Sequence, residues 1–109
     1  MSNIEQLEQQ LMGNKERMSL RDAVVRLTQN ADFRRVIIEE FSTRDCARLV
    51  QESADPLLRP EERADALAMA QAAGHLKRWI INQIQFGDTA AAQISDLEET
   101  IEIARSEDA

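Results

Sequence analysis

The chain has 109 residues and a mass of 12.4 kDa, the size of one domain, with 43 % hydrophobic and 30 % charged residues. Aromatics are only 4 %, Tyr is absent, and there are three Gly and two Pro, which argues against glycine-rich phosphate loops, base-stacking platforms and turn-rich β architectures. Thirteen basic against twenty acidic residues leave a net charge of −7, which opposes general affinity for nucleic acid or anionic membranes.

The single Cys excludes an internal disulfide framework and fits a reducing compartment. The first residues, Met1 to Leu7, have neither the basic start nor the apolar run of a secretory signal. The longest nearly apolar stretch, Ala66 to Gly74, is interrupted by Gln71 and falls far short of the ~20 residues of a membrane span. The expectation is a protein made and used in a cytoplasm, or packaged from one, that is not secreted and not membrane-bound.

Capping signals divide the chain more clearly than loops do. Ser2 followed by Glu5 reads as a capping box, opening a helix that carries Ile4, Leu7 and Leu11 towards Gly13-Asn14. Ser19 followed by Asp22 restarts a helix with Leu20, Val24 and Leu27, ending near Asn30. Asp32 is placed to cap the next segment, where Phe33, Ile37 and Phe41 recur every fourth residue. Ser42 and Asp45 offer another start, with Cys46, Leu49 and Val50 inward. Asp55-Pro56 stops that helix, because the residue before proline is driven from the helical region.

Pro60-Glu61-Glu62 then opens a helix, with proline at the first position and acids at the positive dipole end. Gly87 is expected to end it after residue 86, and Asp88 or Thr89 to start a last helix reaching about Arg105. On the 60–86 helix, Leu76, Met69, Ile80, Ala73, Ile84, Ala66, Ala70, Ile81 and Gly74 share one broad face, with Trp79, Phe86, Ala68 and Ala72 on a second stripe. A helix apolar around most of its circumference belongs at the centre of a fold. The predicted fold is therefore all-α: a small bundle of four to six helices around this long central helix. An N-terminal helical arm, residues 1–18, can project from a bundle domain formed by residues 19–109.

Three polar patterns are candidates for function. Gln71, His75, Arg78, Asn82 and Gln85 recur at spacings of four, three, four and three, forming one acid-free line along the central helix. That line reads either as a solvated strip or as a row of hydrogen-bonding groups that docks a protein partner. Ile4, Leu7 and Leu11 near the N-terminus, and Ile94, Leu97 and Ile101 in the last helix, form narrow seams of the coiled-coil type. Such seams serve folding back on the same chain, pairing between copies in a homo-oligomer, or insertion into a partner's groove. Third, residues 15–35 carry a net +3 and residues 88–109 a net −6. Those opposed blocks can be ordinary solvated surface, can meet one another, or can let the acidic helix imitate nucleic acid.

Catalytic chemistry is hard to find. Cys46 and His75 are each alone of their kind, Cys46 lies mid-helix, and no glycine-rich turn accompanies it. One Cys and one His make a poor zinc site, which normally takes four such ligands. The pairs Glu39-Glu40 and Glu61-Glu62 point about 100° apart on a helix, so neither forms an acid–base pair by spacing. The reading is of a protein that is not an enzyme and takes no cofactor and no metal.

Several stretches have a shared character: Leu27-Thr28-Gln29-Asn30-Ala31-Asp32-Phe33, then Glu52-Ser53-Ala54-Asp55-Pro56, then Arg63-Ala64-Asp65-Ala66-Leu67 leading to Gly74-His75-Leu76-Lys77-Arg78-Trp79. Their order resembles small acidic helical proteins of tailed bacteriophages, found among virion-assembly genes, over roughly residues 20–105. The resemblance implies a non-enzymatic structural or assembly role, in the virion or the host cytoplasm, and supplies no site residue. The partner it implies is a second copy of the chain or a larger virion protein. The competing expectation is a small acidic inhibitor that binds a host enzyme through the last helix.

Overall fold

The computed structural model describes residues 2–108. Helix α1 runs Asn3–Gln29, a single turn α2 covers Ala31–Phe33, α3 covers Cys46–Ser53 and α4 covers Pro60–Asp108. Between α2 and α3, Arg34–Asp45 is a π-helix. Backbone angles at Arg34 and Cys46 are helical, so α2, the π-helix and α3 form one uninterrupted rod over residues 31–53. The described residues are thus all-helical, but they make three rods. The expected bundle of four to six helices around a 60–86 centre is corrected: besides the fresh start expected at Ser42 and Asp45, which lies inside the 31–53 rod, two of the breaks it required do not occur.

The first missing break is at Gly13-Asn14. Helix α1 passes through it, because Asn14 Nδ2 donates to Gln93 Oε1 at 3.2 Å and Leu11 and Met18 on either side are half-buried. Tertiary contact outweighs the local cost of glycine, about 1 kcal/mol. The second is at Gly87. No glycine among the described residues has a positive φ, so Gly87 takes no left-handed cap and α4 continues for 49 residues. Breaks do form at Asn30 and over residues 54–59. At the first, the side chain of Asn30 itself is the cap, accepting from Phe33 N–H at 2.9 Å in place of the expected Asp32. At the second, Asp55 Oδ1 accepts from Leu57 N–H at 2.9 Å in the turn before Pro60. Ser2 Oγ accepts from Glu5 N–H at 3.1 Å, the N-terminal cap the sequence announces.

The chain divides into two compact units, one made of residues 2–25 and 82–108, the other of residues 26–81. The boundary expected between residues 18 and 19 lies inside α1. In the first unit α1 and the second half of α4 run antiparallel. Cross-links appear in order along them: Glu8 with Arg105, Lys15 with Glu98 at 3.6 Å, and Arg21 with Asp88 at 3.0 Å. The N-terminal helix is therefore paired, and the expectation that it projects is corrected too. Val24, Gly87, Ala90 and Ile101 are buried in this pair.

In the second unit the 31–53 rod packs on residues 60–81 of α4, where Ala66, Ala70 and Ala73 are the buried residues. Small side chains let the rods approach closely, and Cys46 Sγ lies 3.6 Å from the Ala70 carbonyl oxygen. The half-buried residues of the rod are Phe33, Ile37, Phe41, Ser42, Cys46, Leu49, Glu52 and Ser53. Hydrogen bonds to the fifth residue back widen a helix beyond four residues per turn. The four–four–five spacing of Phe33, Ile37, Phe41 and Cys46 matches that period and drifts away from a 3.6-residue one. The π-helix keeps this face towards α4, and Thr43 Oγ1 reinforces it by donating to the Ile38 carbonyl at 2.8 Å.

Candidate functional site

The surfaces of both units follow from how few large side chains the rods can cover. Among the described residues the buried hydrophobics are Val24, Ile101 and four alanines. Twelve large hydrophobics stay exposed, from Ile38 at 42 % to Leu57 at 92 %. These exposed apolar side chains are the outstanding feature of the molecule, and they fall into distinct places.

In the second unit, the π-helix and α4 leave an apolar groove of about 480 Å³. Ile38, Ser42, Thr43 and Cys46 form one wall, Ala70, Ala73, Leu76, Lys77, Ile80 and Ile81 the other. Lys77 is the charged residue of that lining. The Cys46 thiol, half-buried, sits in this wall, whereas His75 is exposed and does not line the groove. The one thiol and the one imidazole are thus not presented to a common pocket. No group of three or more His, Cys, Asp or Glu among the described residues could hold a metal ion.

On the opposite side of α4, Ala68, Ala72, His75 and Trp79 are all exposed. At 100° per residue they lie across the helix from Ala66, Ala70 and Ala73. The polar line divides between the units: Gln71, His75 and Arg78 are exposed in the second, while Asn82 is half-buried and Gln85 exposed in the first. Gln71 and His75 belong to the same outward half of α4 as Ala68, Ala72 and Trp79. No charged side chain lies at the centre of this face between residues 68 and 79.

In the first unit the seam residues Ile4, Leu7, Leu11, Ile94 and Leu97 are half-buried and Ile101 is buried. The two seams face one another within the chain. Each helix covers one side of the other, which leaves the remainder of each side chain in water. The basic and acidic blocks meet here as well, through Lys15–Glu98 and Arg21–Asp88. Arg21 also reaches Asp22, with Nη2 donating to Oδ1 at 2.9 Å. The hydrogen bond to Asp22 and, against a desolvation cost, the one to Asp88 raise its pKa above the ordinary arginine value.

The close contact of Arg21 with Gly87 was not legible beforehand, since a glycine late in an apolar helix reads first as a stop. The face that the 31–53 rod turns to α4 was partly announced by the four-residue recurrence from Phe33, which is long for an α-helix. No protein-family model, curated protein or solved structure matches this chain.

Proposed function

We propose that this chain is a non-enzymatic structural or assembly protein of a tailed bacteriophage, which works by binding copies of itself or a larger virion protein. The observation that carries the reading is the set of twelve exposed large hydrophobics beside a core built largely of alanine. Exposed apolar area of this extent costs free energy in water, and protein contact recovers it. The sequence resemblance to phage helical proteins supplies the setting, the virion or the host cytoplasm. Purified particles of the encoding phage are expected to contain the chain, or its deletion to yield defective particles. Normal particles after deletion, with the chain never found in them, reject the reading.

A second reading rests on charge. The first unit carries eleven acidic and four basic residues and the second nine of each, so the whole net charge of −7 belongs to the first. Glu98, Glu99 and Glu102 are exposed on its α4 segment. An acidic rod of this kind suits an inhibitor that occupies a basic cleft of a host enzyme. Neutralising those three residues is then expected to relieve toxicity in the host, and unchanged toxicity rejects it.

A further inference from the structure

We infer that the groove between the π-helix and α4 binds a medium-chain aliphatic carboxylate, with the head group held at Lys77. The site goes beyond the assembly role and does not depend on it. Size, lining and charge each specify part of the ligand.

The volume of about 480 Å³ falls within the range of small-molecule sites, which are mostly apolar with a few polar groups. Ala70, Gly74, Lys77 and Ile81, spaced by four, three and four residues, form one line of the α4 wall. From Ala70 to Ile81 that line rises about 16 Å, room for an extended chain of about ten to twelve carbons. Gly74 keeps the middle of the line open, since a Cβ there would meet nothing within 4 Å. Among the described residues no aromatic side chain lines the groove. A planar ring would find nothing to stack on, whereas a saturated chain meets Ile38, Leu76 and Ile80. The Thr43 hydroxyl and the Cys46 thiol are turned to the carbonyl oxygens of Ile38 and Ala70, so neither competes for the ligand.

Charge specifies the head group. Lys77 is the charged residue of the lining, and no ion pair among the described residues engages it. In a chain of net charge −7, α4 carries no acid between Asp65 and Asp88. On the facing rod Glu40 is paired with Arg44 and Asp45 with Arg48, and neither these acids nor Glu39 line the groove. A lysine lays its apolar stem along such a wall and keeps its ammonium in water at the rim. That arrangement complements an anion with an apolar tail. One cation matches one negative charge, which favours a carboxylate over a doubly charged phosphate.

Decanoate below its micellar range is the probe, with decanol as its uncharged counterpart. Calorimetric titration of the full-length chain is expected to show one decanoate site. Lys77→Gln should weaken decanoate binding about tenfold and leave decanol within about twofold. Gly74→Leu puts a side chain into the open middle of the groove and should abolish binding of both, with helicity by circular dichroism kept. Lys77→Gln decides the matter if Gly74→Leu loses helicity. Bound decanoate should also slow modification of Cys46 by a thiol reagent several-fold in the wild type. Absence of decanoate binding, or binding unmoved by the folded variants, overturns the inference. Capture of the chain on anionic lipid vesicles without binding of decanoate in solution overturns it as well.

Discussion

Gly87 lies directly beneath the side chain of Arg21. A Cβ placed on Gly87 would stand 2.8 and 2.9 Å from Arg21 Cγ and Cδ, and closer still to its Cβ. The guanidinium then crosses to the far side, donating to Asp88 Oδ1 at 3.0 Å and, more distantly, to the Gly87 carbonyl oxygen. Glycine here is required by the close approach of two helices, not by a turn.

That relationship separates the three glycines. Gly87→Ala should lower stability by about 1–3 kcal/mol, because the obstructing atom is a Cβ and the helices themselves must part. Nothing lies within 4 Å of a Cβ at Gly13 or Gly74. Alanine at either position should raise stability by up to about 1 kcal/mol through helix propensity. Thermal unfolding followed by circular dichroism checks the opposed signs. Adding Arg21→Ala to Gly87→Ala should not restore stability, since the Cβ remains, whereas Arg21→Gly should restore part of it.

The cap at Asn30 gives a second prediction. Asn30→Ala removes the acceptor of the Phe33 N–H and should cost about 0.5–2 kcal/mol. Asn30→Asp keeps an acceptor and should cost little, and Asp32→Ala should be close to neutral. Denaturant midpoints of the three variants decide between Asn30 and Asp32 as the cap.

A third concerns the register of the antiparallel pair. Lys15→Glu places two acids opposite one another at the Lys15–Glu98 contact and should destabilise by about 0.2–1 kcal/mol at low salt. Glu98→Lys added to it should restore most of that loss, and the whole effect should shrink as ionic strength rises. A double-mutant cycle with no coupling would place the two side chains apart.

The π-helix gives the fourth. The face turned to α4 depends on Phe33, Ile37, Phe41 and Cys46 keeping one line, so deleting Glu39, which is exposed, should rotate Phe33 and Ile37 off α4. Glu39→Ala, which keeps the register, should be nearly silent. The rate at which a thiol reagent modifies Cys46 reads this directly. The deletion should raise that rate several-fold, and an unchanged rate would count against the wide-turn packing.

Much of the local structure was legible, because it rests on chemistry carried by single residues. Ser2 caps α1, Pro56 follows the end of the rod containing α3, and Pro60 opens α4, each by a rule about one backbone group. The helix count was not legible, because it turned on Gly13 and Gly87. A glycine that ends a helix and a glycine that admits a neighbouring helix have the same sequence, and only Arg21, 66 positions away, distinguishes them. The same holds for the seams. The spacing of Ile94, Leu97 and Ile101 announces a partner helix, but not that α1 of the same chain supplies it. Of the polar line, Gln71 and His75 share the outward face with Trp79, while Asn82 and Gln85 belong to the other unit.

The central claim is that apolar side chains left in water by the isolated chain are covered when it assembles. Hydroxyl-radical oxidation reads that claim on Met69 and Trp79, which are half exposed and readily oxidised, in the dilute chain and in purified particles. The account expects both residues to oxidise freely in the dilute chain and about tenfold more slowly in particles. Equal oxidation in the two states would contradict it.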